Sequence, residues 1–187
     1  GNEFFDAIPI KQFKKIKNSL FEKNYTLDKD LKIKQVFKKA SISDIKKIKS
    51  YKSLKKQKFI EFPMLGFKEL KKISKKISKL QGCILLIDYG YLKPNNQNTL
   101  QSVMSHKKNN LLSNLGKADI TAHINFTLLR EFFSRNNLKT KRLITQKQFL
   151  ENMGIIERAK IIAKKMKFTE QSDLYFRIER LLNPKYM

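Results

Sequence analysis

With 187 residues, 41% of them hydrophobic and 14 of them Phe, the chain is long enough and apolar enough to bury a core, so its 30% charged content does not make it a disordered segment. Its net charge of +25 comes from 41 Lys and Arg against 16 Asp and Glu, but only six of the 41 are Arg, which leaves 35 Lys spread from Lys11 to Lys185. A nucleic-acid footprint concentrates its basic residues on one face and uses Arg where phosphates are gripped bidentately, so this dispersion favours a solvated surface with a compositional bias, with RNA or another anionic surface as the alternative.

Cys83 is the sole cysteine, so a disulfide framework within the chain is excluded, and its place in an apolar run predicts a buried, inert thiol. No apolar run approaches the ~20 residues of a membrane-spanning helix, and no signal-peptide pattern opens the chain. A soluble, reducing compartment is the expectation. The first residue is Gly1, not Met, which suggests a fragment or a processed chain.

In chain order, the opening motif Asn2-Glu3-Phe4-Phe5-Asp6-Ala7-Ile8-Pro9 mixes acids and aromatics ahead of a proline. Its plainest structural reading is a helix cap, with Asn2 accepting from free amides and the acids favoured by the dipole. Residues 12–38 read as a short hairpin with a turn in 24–30, and Ser43-Asp44 opens a Lys-rich helix that ends near Lys58. Glu61-Phe62-Pro63 breaks the pattern. Phe67, Leu70, Ile73, Ile77 and Leu80 then form one helical stripe over 66–80, which Gly82 should stop. Five apolar residues at 83–87, closed by Asp88-Tyr89-Gly90, suit a parallel strand covered on both faces. Helix, glycine and strand make half of a crossover unit. Ligands gather at the carboxyl ends of such strands, which is where Asp88 falls.

Residues 91–118 show little periodicity, and loops of that length are functional or disordered. The only histidines, His106 and His123, have no spacing with Cys83 that makes a zinc site, so no metal is expected. The glycines at 1, 66, 82, 90, 116 and 154 are too far apart to form a phosphate loop. Asn125 is placed to cap a helix through Ser134. A strand should follow at 138–144, then helices at 146–152, 155–166 and 169–182, the first stopped by Gly154 and the last by Pro184.

The series NEFFDAIP, LLIDYG, NTLQ with a following His, ADITAHINF, and TQ ahead of FLENMGI resembles the MidA-like family of S-adenosylmethionine-dependent methyltransferases over nearly the whole chain. The resemblance implies an α/β class I (Rossmann-like) methyltransferase fold with S-adenosyl-L-methionine as cofactor. It also implies a protein substrate: the mitochondrial relatives dimethylate an arginine on a partner subunit and assist assembly of respiratory complex I. The location implied is the mitochondrial matrix in a eukaryote and the cytoplasm in a bacterium.

The family's glycine-rich donor loop, in a Glu-Leu-Gly-Pro-Gly-like context, has no match in this sequence. The resemblance therefore implies the C-terminal half of the sheet, starting after the fourth strand and ending before a last Phe-Lys-Val-Leu-like strand. Within it, 12–58 is a hairpin and helix insertion, 66–90 a helix-strand unit, 91–124 a substrate-side loop, and 125–187 the C-terminal helices and strand. Carried over by motif, Glu3 and Asp6 become guanidinium partners and His123 a proton acceptor, while Asn2 and Glu3 reach the donor, whose main binding loop lies outside the chain. Asn2, Phe4, Asp88, Tyr89, Gly90, Gln101, His106, Asp119 and Thr121 become the substrate-side lining. Catalyst and scaffold are both open for each of these. The alternative function is a non-catalytic protein of the same fold that binds RNA or an acidic partner.

Overall fold

The computed structural model of the chain describes residues 2–93 and 96–186, Tyr186 by its backbone only. Gly1 and Met187, the two ends on which the expectation of a longer protein leans, lie outside the described residues. The chain divides into two compact units, Gly1–Thr140 and Lys141–Met187.

The first unit is built on an antiparallel sheet of β1 (Lys11–Ile16), β2 (Ser19–Leu27), β3 (Ile33–Lys39) and β4 (Phe59–Phe62), in the order β3-β2-β1-β4. The turn into β3 is set by Asp28, whose carboxylate accepts from the amides of Asp30 and Lys32, with Leu31 left-handed at φ 58°. Alternation sends Phe13, Ile60 and Phe62 to one face, where all three are buried. Helix α1 (Ile42–Ser50), capped by the Ser41 hydroxyl, attaches to this sheet through an ion pair of 2.9 Å from Lys11 to the buried Asp44. The expected simple hairpin is thus a four-stranded sheet, and the expected helix to Lys58 ends at Ser50. The physical reason is that Phe59–Phe62, which overlaps the break read from sequence at Glu61-Phe62-Pro63, pairs with β1 in register Phe13↔Ile60.

Helix α2 (Met64–Leu80) ends as its stripe predicts, but Gln81 takes the left-handed position at φ 50° and the Gly82 amide closes back on the Ile77 carbonyl at 3.0 Å. The core gathers Phe5, Phe13, Ile48, Leu54, Phe62, Phe67 and Leu70 against Leu128, Leu129, Phe132 and Phe133, with Phe67 stacked on Phe132 at 4.4 Å.

After α2 the structure corrects the sequence reading. Residues 83–86 join no ladder among the described residues, and Cys83, Ile84 and Leu85 are exposed. The predicted buried strand is extended chain, and the predicted buried thiol lies in the open. Burial of such a strand needs neighbours along both edges; among the described residues the bridge is the parallel one of Ile87 with Asn2, beside the Glu3 amide on the Ile87 carbonyl, and Leu86 packs on the core.

Parallel pairing resumes between β5 (Gly90–Tyr91) and the later strand at 124–125. The expected irregular loop between them holds a small antiparallel sheet of β6 (Gln101–Met104), β7 (Lys107–Asn109) and β8 (Asp119–Thr121), in the order β7-β6-β8. Its strands are short and mostly polar, so no hydrophobic alternation marks them. Strand β9 (Ile124–Asn125) leads into α3 (Phe126–Arg135), where the Asn125 side chain accepts from the Leu128 amide as its cap.

The second unit contains α4 (Gln146–Asn152) with a Thr145/Gln148 capping box, α5 (Ile155–Ala163) entered through Gly154 at φ 78°, and α6 (Phe168–Leu182). Ala159, Ile178 and Leu182 form its small core. The strand expected at 138–144 is not formed: Lys139, Lys141 and Arg142 interrupt the apolar positions, and no sheet edge pairs with them among the described residues.

Candidate functional site

Three backbone segments converge at the end of the extended 83–87 run. The Glu3 amide donates to the Ile87 carbonyl at 2.8 Å, the Ala122 amide to the Asp6 carbonyl at 2.8 Å, and the Ile124 amide to the Tyr89 carbonyl at 2.9 Å. Residues 2–6, 87–91 and 121–125 are thereby fixed side by side. Gly90 is required at this junction, because a Cβ there would run into the Ile124 carbonyl and the Phe126 ring. Glu3 itself is left-handed at φ 45°, where a helix capped by Asn2 would need it in the right-handed first turn, so the opening motif is a bridge and turn and not the cap expected from its sequence.

The side chains collected there are acidic. Asp88 accepts from the Phe5 amide at 2.8 Å and from the Tyr89 amide at 2.9 Å, and so orders the 2–6 turn. Burial, and secondarily the Asp6 charge, holds its carboxyl above the usual carboxylate range against the pull of those amides. The Tyr89 phenol is raised by burial and then by the nearby Glu3 carboxylate. Asp6 is half-buried and accepts from the Ala7 amide at 2.7 Å, whereas Asn2 and Glu3 are exposed. Phe4 is exposed and packs edge-on against the buried Phe5 at 5.1 Å.

A second polar group sits beside this one and was not foreseen. Glu61, 7% exposed, accepts from the Gln12 side chain at 2.7 Å, from the Thr99 amide at 3.0 Å and from the Thr99 hydroxyl. Thr99 in turn accepts from the His123 amide at 3.0 Å, and the Gln12 side chain also donates to Asn98 at 2.6 Å. The Tyr91 phenol is pushed up to about 12 by burial and then by the Glu61 charge, with the Asn125 side chain beside it pulling the other way. Glu61, His123 and Asn125 border a cavity of about 30 Å³, room for roughly one water and too small for a guanidinium. Glu61 is therefore an internal support for the NTLQ segment and His123. The only signal that could have found it is an acid inside an alternating apolar run.

Among the described residues, no Lys, Arg or His makes an ion pair with Glu3, Asp6, Asp88 or Glu61. In a chain of +25 this leaves an acid cluster facing whatever binds it. Of the other residues singled out from sequence, Gln101 donates to Thr121 at 3.2 Å across the β6–β8 pairing, and Asp119 pairs with Val103 in the same ladder. His123 is exposed with its backbone pinned by Thr99. His106 lies apart from the acid cluster in sequence and fold, in the two-residue β6–β7 turn, where Ser105 and His106 both have positive φ.

A family model described as a putative S-adenosyl-L-methionine-dependent methyltransferase matches residues 1–144. The chain belongs to that methyltransferase family. Among curated proteins it is 28% identical over 188 residues to the mitochondrial protein arginine methyltransferase NDUFAF7 of Xenopus laevis, covering 100% of this chain and 43% of that protein. It is 27% identical over 188 residues to NDUFAF7 of Homo sapiens, covering 100% of this chain and 42% of that one. The chain thus spans less than half the length of these methyltransferase relatives.

Two crystal structures from Burkholderia thailandensis share its fold. One, a likely methyl transferase bound to S-adenosyl-homocysteine, superposes with a TM-score of 0.74 at 17% identity, over 100% of this chain and 49% of that one. The other, an uncharacterized protein of the same superfamily, gives 0.77 at 17% identity, over 100% and 51%. The α/β class I methyltransferase fold expected from the motifs is confirmed by these likenesses.

Proposed function

We propose that this chain forms the acceptor side of an S-adenosylmethionine-dependent protein arginine methyltransferase, whose donor is held mainly by polypeptide outside it. The observation that carries this reading is the convergence of Glu3, Asp6 and Asp88 at one strand end, with no ion pair to a basic side chain among the described residues. Such a cluster fits a planar cation: two carboxylates can accept a guanidinium fork from two directions and hold one nitrogen for in-line attack. It fits a phosphate poorly, which agrees with a donor that carries none.

In this reading Glu3 and Asp6 orient the guanidinium and stabilise the cationic product. Asp88 keeps the 2–6 turn in place through the Phe5 amide, and Tyr89 lies beside the Glu3 carboxylate. His123, held by Thr99 and Glu61, accepts the proton that the substituted nitrogen gives up. Asn2 and Glu3 lie where the donor meets the acceptor. The donor, when bound, supplies the methyl group as an electrophile. The substrate is an arginine-bearing protein, in a eukaryote a respiratory complex I subunit within mitochondria.

The test is methyl transfer from labelled donor to an arginine peptide library by the full-length protein and by its Glu3→Gln and Asp6→Asn variants. Each variant should lose about 100-fold in kcat, while Asp6→Asn, which does not reach the donor, changes donor affinity by calorimetry less than about threefold. Full-length protein without donor binding would remove the enzyme reading. Transfer to arginine that survives both substitutions would remove the assignment of the acids.

A further inference from the structure

The four-stranded sheet has one face on the core; the other is covered over Gln12 and Glu61 by Asn98 and Thr99, and where it turns to solvent, over β2, β3 and the end of β1, it mixes polar with large apolar residues. Register places Lys14, Phe21 and Lys39 in one row, Lys23 beside Phe37 in the next, then Tyr25 beside Gln35, and Leu27 beside Ile33. Ile16 continues the same face on β1. Ile16, Tyr25, Leu27, Ile33 and Phe37 are between 37% and 57% exposed. An antiparallel sheet with one solvated face ordinarily turns polar side chains outward, so a run of large apolar residues there marks an interaction surface. A lysine-rich composition explains the cations of this face but not its aromatic and aliphatic members.

We propose that this outer face of β1–β3 docks an acidic polypeptide segment that carries apolar or aromatic side chains among its carboxylates. Charge selects the acid: the strand residues of this face include one carboxylate, Glu61, which is buried and already bonded. The same charge opposes a second copy of this chain, which would set lysines against lysines at +25 per copy. The mixed pattern selects a polypeptide over a single-stranded nucleic acid. The exposed rings of Phe37 and Tyr25 already carry the Lys14 and Lys23 ammonium groups at 5.7 and 5.4 Å, Phe21 is partly buried, and the other exposed apolar residues, Ile16, Leu27 and Ile33, are aliphatic, so no open stacking platform is presented. Cations and apolar groups on adjacent rungs match a chain that delivers a carboxylate and an apolar side chain within one strand spacing. That this segment belongs to the methyl acceptor rests on the reading above; the docking itself does not.

The experiment measures binding of the full-length protein to three probes at equal anionic charge and physiological salt: a glutamate-tyrosine copolymer, polyglutamate and poly(U). The copolymer is expected to bind about tenfold tighter than polyglutamate. Tyr25→Thr with Phe37→Thr, which keeps strand-forming residues in the sheet, should remove that advantage and leave polyglutamate binding unchanged. Leu27→Thr with Ile33→Thr, farther from the core, should do the same in part and serves as the check on folding. Equal affinity for copolymer and polyglutamate, preference for poly(U), or insensitivity of both folded variants would overturn the proposal. None of these outcomes depends on methyl transfer, so loss of the enzyme reading and loss of the docking face are told apart.

Discussion

Asp88 is the residue on which the candidate site turns, because it ties the opening motif to the strand end while lying near a second acid. Its carboxyl titrates above the usual value, so between that value and the raised one the folded state binds more protons than the unfolded state. The contribution of this group to stability therefore falls as pH rises across that window. Replacing Asp6 by Asn removes the charge that adds to the shift, and the Asp88 titration followed by carboxyl carbon resonances should move down toward 3.8. An unchanged titration would show that Asp6 does not face Asp88 in solution. Tyr91 offers a parallel check. Its phenol should stay neutral in an absorbance titration until about pH 12, and Glu61→Gln should bring the transition lower.

Among secondary-structure elements, the junction of β5 and β9 makes the sharpest demand. Gly90→Ala places a methyl group against the Ile124 carbonyl and the Phe126 ring, and should cost about 2–3 kcal/mol in urea unfolding as the strands separate. Asn125→Ala removes the cap of α3 and the polar neighbour of the Tyr91 phenol, at a cost of about 1–2 kcal/mol. Legibility in the sequence follows the same division. Helix α2, the Asn125 cap and the Gly154 stop were readable because a long amphipathic stripe and cap chemistry are local properties. The acid cluster was readable only as motifs, since nothing in the spacing of Asp6 and Asp88 says that Asp88 accepts from the Phe5 amide. Strand β4 and Glu61 were missed because a four-residue strand with a buried acid is recognisable only by its partner β1. The 83–87 run was misread in the opposite way, because its apolar pattern reports the surroundings it suits and not those it has.

For the whole molecule, charge is the dominant quantity. At +25, against four ion pairs among the described residues, of which only that of Asp44 has a buried partner, self-repulsion outweighs the attraction that salt would screen. Raising salt from about 0.05 M to about 0.5 M should therefore increase the melting temperature by a few degrees, whereas a molecule held by its ion pairs would lose stability.

Cys83 gives the exposed 83–87 segment a chemical clock. In this chain its thiol lies open to solvent, so a disulfide reagent should modify it at the rate of an unhindered thiol at the same pH. In the full-length enzyme proposed above, donor-side strands would lie along that segment, and the reagent would reach sulfur only when the edge opens. The ratio of the two rates, with any cysteine outside residues 1–187 replaced by serine, then measures how often the sheet comes apart.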